Sequence, residues 1–227
     1  MLQLFCDFDG TICEQDTLQL LLQHHASREW WILEQAWRSG RLSTRECLSA
    51  QLTLLQCTPR QREQIIRGTT LTSGFKEFNL WRQQLGLPLT ILSDGLEPVI
   101  QAVLQWHGIE GITVMANQVD FLRPPLQITF PHANPEHPDC AMCKGSVLRK
   151  AKRAGALRVF IGDGLSDRCA APEADLLFAK STLALHCKES RIAFHPWHTF
   201  EDIQRYQQKL MPDTPLPQQR ELCHASR

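Results

Sequence analysis

No apolar run in this 227-residue chain approaches the roughly 20 residues of a membrane-spanning helix, so no membrane partner is expected. No secretory signal is expected either, because Asp7 and Asp9 interrupt the first apolar stretch before it could serve as one. Net charge is absent: 24 basic residues face 24 acidic ones. Without a strong positive field, a nucleic acid is not expected as a partner either. There is no even cysteine framework. The nine cysteines are scattered and one must be left over, which fits reduced thiols in the cytoplasm better than a disulfide scaffold. Internal repeats and low-complexity blocks are lacking as well. What remains is a chain with 43% hydrophobic residues, enough for a core of common domain size plus a smaller insertion.

The most informative residues are Asp7-Phe8-Asp9-Gly10-Thr11, which follow the apolar run Leu2 to Cys6. That run reads as a buried strand closing on a sharp turn. On a strand, two carboxylates one residue apart on either side of Phe8 would be governed by strict alternation, but Gly10 frees the backbone from it just past the strand end. Asp7 can then face a reaction centre while Asp9 curls over the same centre. An aspartate at the carboxyl end of a first α/β strand stands where open parallel sheets bind ligands. One carboxylate there can act as a covalent nucleophile, and its neighbour can transfer protons. The plainer alternative is an acidic turn supplied by Asp9-Gly10.

Three further signals follow in order. Leu89 to Leu92 runs into Ser93-Asp94-Gly95, Lys144 follows the Cys140/Cys143 pair and opens a helical stretch, and Arg158 to Ile161 ends in Gly162-Asp163-Gly164-Leu165-Ser166-Asp167. Ser93 and nearby backbone N–H groups can hold phosphoryl oxygens. Lys144 can neutralise both a nucleophile and a phosphate as a compact cation. Asp163 and Asp7 can share Mg²⁺, a hard cation that takes oxygen ligands. Without lysine and metal, an anionic Asp7 would have to attack an anionic phosphate.

These four motifs together resemble those of the haloacid dehalogenase superfamily, phosphatase branch, over residues 1 to about 187. The resemblance implies a Rossmann-like, doubly wound parallel sheet with an inserted helical cap domain. It also implies Mg²⁺-dependent hydrolysis of a small-molecule phosphate ester through an aspartyl-phosphate. Asp7 is then the nucleophile, and Asp9 the general acid/base that also offers its backbone carbonyl to the metal. Ser93 and Lys144 hold the phosphoryl group, Asp163 ligates the metal, and Asp167 orients metal waters or Lys144. Thr11, Ser93, Asp94, Gly95, Asp16 and Gln51 are the candidate substrate-binding residues. The oligomeric expectation is a monomer or homodimer. A phosphotransferase and a non-catalytic Mg²⁺-dependent binding module stay open as alternatives.

The expected division is a core of residues 1–13 and 76–211, a helical cap of 14–75, and a disordered tail of 212–227. Within the cap, Leu18, Leu21 and Leu22, then Trp30, Leu33 and Trp37, recur at helical spacing. Ser43 with Glu46 predicts a helix start, and Pro59 a first helical position. Beyond it, helices are predicted at Phe75 to Leu85, Glu97 to Trp106, Lys144 to Ala154 and Phe200 to Leu210. Strands are predicted at Leu89 to Leu92, around Ile112 to Ala116, at Val159 to Ile161 and at Leu176 to Ala179. Val119 to Phe130 reads as a hairpin broken by Pro124-Pro125.

His132, His137, Cys140 and Cys143 could close a tetrahedral Zn²⁺ site. The alternative is a proline-rich loop whose thiols pack beneath Lys144. A redox role for Cys140-x-x-Cys143 lacks the thioredoxin-like context it would need. The tryptophans are expected in the cap's own core, with one on a pocket wall, and Asp16 either caps a helix or faces the pocket. Asp94 is expected to serve turn chemistry beside Ser93. Two subfamilies compete. Phosphoserine phosphatases carry a glutamate and an arginine in the cap, where this chain matches Asp16 and Gln51; neutral Gln51 cannot make an ionic contact with a carboxylate. Phe130-Pro131-His132 with Cys140-x-x-Cys143-Lys144, and the stretch Phe178 to Cys187, look more like the methionine-salvage phosphatases, which act on 2-hydroxy-3-keto-5-methylthiopentenyl-1-phosphate.

Overall fold

The computed structural model describes residues 2–123 and 125–210; Pro124 and the predicted tail of 212–227 lie outside them. In chain order the elements are β1 (Leu2–Cys6), α1 (Thr17–His25), α2 (Trp30–Arg38), α3 (Thr44–Leu54), α4 (Pro59–Gly68) and α5 (Phe75–Gln84). Then come β2 (Leu89–Leu96), α6 (Glu97–Trp106), β3 (Thr113–Val119), β4 (Ile128–Thr129), α7 (Lys144–Arg153) and β5 (Leu157–Gly162). The chain continues through β6 (Leu176–Ala179), α8 (Ser181–Glu189), β7 (His195–Pro196) and α9 (Phe200–Leu210).

The strands form one seven-stranded sheet in the order β4-β3-β2-β1-β5-β6-β7. Every neighbour pairs parallel except β3 with β4, where Val119 opposes Ile128. The chain winds outward from β1 on one side, then returns to β5 and winds outward on the other. Strand order therefore reverses at β1, and open α/β sheets place ligands beside the carboxyl ends of strands at such a point.

Alternation along the central strands supplies two cores. Leu4 and Cys6 of β1, Ile91 of β2 and Val159 and Ile161 of β5 join one cluster with Phe75, Phe78, Trp81 and Phe200 from α5 and α9. Phe5, Leu92 and Phe160 point to the opposite face and join Leu148 of α7 and Leu183 of α8. Such side chains contribute about 1.5–3 kcal/mol each on burial, which fixes the strand registers and with them the residues just past the strand ends.

Four helices, α1 to α4, stand between β1 and α5. Their starts are written locally. Asp16 caps α1 by accepting from Gln19 N, while α3 and α4 begin with capping boxes, Ser43/Glu46 and Thr58/Gln61, and Pro59 follows the second cap. The α4 helix buries no residue fully but lays Arg62 over Phe121 and Arg67 over Trp106. Two differences from expectation matter. Strand β2 runs on through Ser93-Asp94-Gly95, because β3 keeps pairing as far as Leu96↔Asn117 across a register shift. Element α8 follows β6 directly and brings Ser181 and Thr182 to the sheet's carboxyl edge.

Candidate active site

Asp7 follows the last residue of β1, and its N–H still donates to Ile161 O at 2.9 Å, so the sheet itself positions it. Its Oδ1 accepts from Phe8 N at 2.7 Å and meets Lys144 Nζ at 2.9 Å. Gly10 then turns the chain with φ 73°, and a Cβ there would stand 2.5 Å from Asp163 Oδ2. The turn therefore needs glycine for its conformation and for its close approach. Asp9 returns over the sheet edge, where its Oδ1 accepts from Thr17 N at 2.7 Å and Thr17 Oγ1 at 2.8 Å.

Lys144 is the first residue of α7 and is fully buried. Its Nζ lies between Asp7 and Asp167, 2.6 Å from Asp167 Oδ1, and donates to Ser166 Oγ at 3.2 Å. The other oxygen of Asp167 accepts from Asp163 N and Gly164 N, both at 3.0 Å. Asp163 follows β5 and accepts from Thr11 Oγ1 at 2.8 Å. Ser93 is buried on β2, with Oγ accepting from Gly95 N at 2.9 Å; a Cβ on Gly95 would come within 2.7 Å of Asp9 Oδ2. Asp94 accepts from Met142 N at 2.7 Å, tying the end of β2 to the loop that delivers Lys144.

This concentration of buried charge shifts Asp7, Asp9, Asp163 and Lys144. Burial, then the charge of Asp167, raises the Asp7 carboxyl well above its usual range, and Lys144 pulls the other way. Burial and then Asp16 push Asp9 to about 7, against the two Thr17 hydrogen bonds. Burial and then Asp167 push Asp163 to about 6. For Lys144 burial works downward, but Asp167 and Asp7 hold the ammonium well above its ordinary value. Asp7, Asp163 and Asp167 each place an oxygen within 4.8 Å of the others. Three carboxylates around one ammonium leave an excess of negative charge on hard oxygen donors. Those donors fit a hard divalent cation such as Mg²⁺.

The site opens into a cavity of about 380 Å³, within the range of small-molecule pockets. Its floor includes Asp7, Asp9, Ser93, Asp94, Gly95 and Asp163. Its roof comes from α1, α2 and α3, with Leu22, Trp30, Trp37 and Leu48 as apolar surface and Asp16, Glu34, Arg38 and Gln51 as polar groups. Trp37 donates to Thr44 Oγ1 at 3.1 Å, and Gln51 Nε2 to Glu34 at 3.3 Å. Trp31 points away and is 47% exposed.

Several sequence expectations change here. Thr11 is fully buried with its hydroxyl on Asp163, and it supports the floor from below instead of lining the cavity. Asp167 has both oxygens engaged by Lys144 and backbone N–H groups, which makes orientation of Lys144 the role its contacts favour. Asp16 both caps α1 and lines the cavity. Gln51 and Asp16 bring no positive charge to the cavity; Arg38 does, and Glu34 holds it at 2.8 Å.

The zinc quartet is corrected. His137 Nε2 sits against Arg149 at 2.9 Å, and His132 enters only through its carbonyl, which accepts from Cys143 N. Neither histidine joins a metal-competent group among the described residues; the sulfurs of Cys140 and Cys143 gather with that of Cys169 instead. Sequence reasoning missed Thr17, Ser166, Arg38 and Cys169. Only Thr17, next to the helix cap Asp16, stood where a local signal could have found it.

A family model described as haloacid dehalogenase-like hydrolase matches residues 4–172. A 2-hydroxy-3-keto-5-methylthiopentenyl-1-phosphate phosphatase of Geobacillus kaustophilus (strain HTA426) is 34% identical over 206 residues, 89% of this chain and 93% of that protein. The protein of the same name from Brevibacillus brevis (strain 47 / JCM 6285 / NBRC 100599) is 32% identical, covering 93% and 97%. Among solved structures, a substrate-bound phosphoserine phosphatase superposes with a TM-score of 0.68 over 91% of this chain and 98% of that one. At 21% identity that likeness speaks for the fold alone.

Proposed function

The chain belongs to the haloacid dehalogenase-like hydrolases, and we propose that it hydrolyses a small phosphate monoester through a phosphoryl group carried on Asp7. The observation that carries this reading is the buried Lys144 ammonium, fixed by Asp167 against Asp7 Oδ1 at the strand-order reversal. Lys144 opposes the loss of charge that burial imposes on Asp7 and offsets charge on an approaching phosphate. Phe8 N and Lys144 hold Oδ1, so Oδ2 is the oxygen placed to attack phosphorus. As the Asp7–phosphorus bond forms, the phosphorus–ester oxygen bond breaks and Asp9 gives that oxygen its proton. Water then attacks phosphorus, Asp9 takes the water's proton, the bond to Asp7 breaks and phosphate leaves. A carboxyl pushed to about 7 suits both transfers near neutral pH. Asp7 and Asp163, with the Asp9 carbonyl, would hold Mg²⁺, which supplies charge neutralisation for two anions that must meet.

On this reading residues 14–75 act as a cap over the core, and their α1–α3 surface selects the alcohol. The relatives' names point to 2-hydroxy-3-keto-5-methylthiopentenyl-1-phosphate. The roof is compatible with it: Trp30, Leu22 and Leu48 give a methylthio tail apolar surface, and Arg38, bound to Glu34 through Nε, keeps its terminal N–H groups for hydroxyl and keto oxygens. Phosphoserine is the second reading, favoured by Arg38 on the wall. Against it, Glu34 neutralises Arg38, and Asp16 and Glu14 line the same cavity, so a second carboxylate meets no unpaired cation there. The test is a side-by-side assay of both esters with Mg²⁺. A preference of about tenfold in kcat/KM for the ester whose alcohol part carries no charge is expected, which needs only about 1.4 kcal/mol. Equal rates or a preference for phosphoserine would overturn the substrate assignment. Absence of a phosphoryl adduct on the Asp7 peptide in acid-quenched turnover would overturn the mechanism.

A further inference from the structure

Cys140 and Cys143 precede α7, while Cys169 follows the short 3-10 turn at Leu165–Asp167, yet the three sulfurs lie within 4.8 Å of one another. Gly145 makes this meeting possible. A Cβ on it would stand 2.2 Å from Cys169 O, so only glycine lets the Cys169 backbone rest on the first turn of α7. The Gly145 N–H also donates to Cys169 Sγ at 3.4 Å and holds that sulfur in place. The three thiols differ in access. Cys143 is fully buried and its sulfur pairs with Ser146 Oγ at 2.9 Å, whereas Cys140 and Cys169 are half-buried. Both cysteines of the accessible pair lie outside regular strands and helices. A disulfide needs its sulfurs at about 2.05 Å, so the separation to be closed is less than about 3 Å.

We propose that Cys140 and Cys169 form a reversible disulfide on exposure to a peroxide, and that this bond switches the neighbouring active site off. The Cys169 sulfur attacks one peroxide oxygen, the O–O bond breaks, and the thiol proton leaves with the departing hydroxide as water. The Cys140 sulfur then attacks the sulfenic sulfur, the S–O bond breaks, and a second water leaves. Two thiols and one hydrogen peroxide give one disulfide and two waters.

The bond would join the two arms that hold Lys144. One arm is the loop from Cys140 to Cys143, whose Met142 N–H donates to Asp94 and whose Cys140 carbonyl accepts from Arg45 of α3 at 2.8 Å. The other is the turn carrying Asp167, two residues before Cys169 and 2.6 Å from Lys144 Nζ. Drawing these arms together shifts Lys144 against Asp7 and loosens the Arg45 link to the helical insertion. Turnover should fall about tenfold or more, since a misplacement of about 1 Å near reacting atoms costs up to about 10²-fold.

The test treats the full-length, fully reduced protein with hydrogen peroxide and follows phosphate release alongside non-reducing peptide mapping. The expected result is a Cys140–Cys169 cross-linked peptide pair that accumulates in step with the loss of turnover, both reversed by dithiothreitol. Cys140→Ser and Cys169→Ser should each keep their untreated activity through the same exposure. If one variant fails to fold, the other variant and the wild-type map still decide. A cross-link between other cysteines, sulfinic acid at Cys169 without a cross-link, or equal inactivation of the serine variants would overturn the proposal. So would stoichiometric metal bound to the thiols of protein purified without chelator. The peptide map needs no substrate, so its failure is distinct from failure of the proposed reaction.

Discussion

Replacing Lys144 by Met removes one charge from the most buried ion cluster among the described residues while nearly conserving volume. Lys144 is 0% exposed, and its two partners, Asp7 at 2.9 Å and Asp167 at 2.6 Å, have side chains only 7% and 0% exposed. Removing one partner of a buried pair leaves uncompensated charge and costs about 3–5 kcal/mol. For a domain of this size, about 2–4 °C of melting temperature accompanies each kcal/mol, so the midpoint should fall by about 6–20 °C. The deficit must depend on pH in a definite direction. Asp7 already has a folded-state pKa above its unfolded value through burial and Asp167, and loss of Lys144 raises it further. A carboxyl of that kind is harmless below its unfolded pKa and destabilises as pH rises through the folded one. The gap between variant and wild type should therefore be wide at pH 8 and narrow at pH 5. Thermal and urea unfolding in EDTA, where no cation stands in for the ammonium, measures both. Adding Asp167→Asn to Lys144→Met should recover part of the loss. A deficit below about 1 kcal/mol at pH 8, or one equal at both pH values, would refute the electrostatic reasoning.

Asp7→Asn should abolish phosphate release and Asp9→Asn should slow it by about 10²-fold or more, both read by steady-state assay with Mg²⁺. Metal-free wild type should be more stable at pH 5.5 than at pH 8. The folded-state values of Asp9 (about 7) and Asp163 (about 6) lie above the ordinary 3.8, so stability is lost as pH rises between about 4 and 8. Mg²⁺ should restore melting temperature mainly at the alkaline end, and a flat profile in EDTA would count against the carboxylate cluster. Gly10→Ala, forced to keep φ 73° with its Cβ 2.5 Å from Asp163 Oδ2, should cost at least about 1–2 kcal/mol and weaken Mg²⁺ activation, measurable by denaturation and metal titration.

The sheet was legible because its strands are short apolar runs ending on turn chemistry, and helical spacing of leucines and tryptophans marked the insertion. Phe200 to Leu210, Glu97 to Trp106 and Leu176 to Ala179 were read with the bounds the fold adopts. What escaped was set by pairing across the chain. Strand β2 extends past Leu92 only because β3 lies beside it, and β7 is two residues whose strand character comes from β6. Helix α8 starts at Ser181 with φ 49°, a backbone state no composition rule flags in a serine.

The candidate site divides along the same line. Asp7, Asp9, Ser93 and Asp163 could be named from sequence because each lies on or just past an apolar strand run, so strand registers bring them to one edge, where the loop before α7 delivers Lys144. Ser166 and Cys169 act through contacts with Lys144 and Gly145, far away in sequence, and nothing in their neighbours announces those contacts, whereas Thr17 and Arg38 meet nearer residues, Asp9 and Glu34. The cysteine loop shows the difference most sharply. Cys140-x-x-Cys143 looked like half a metal signature, and the missing partner was sought upstream among histidines. The partner came from downstream, across Gly145. Glycine in the first turn of a helix is disfavoured by propensity by about 1 kcal/mol relative to alanine, so its presence there asks for a packing reason. Here the reason is the Cys169 carbonyl, 2.2 Å from where a side chain would begin. A glycine that works against its own helix beside a buried lysine was the local trace of a long-range contact, and it could be read only once that contact was in view.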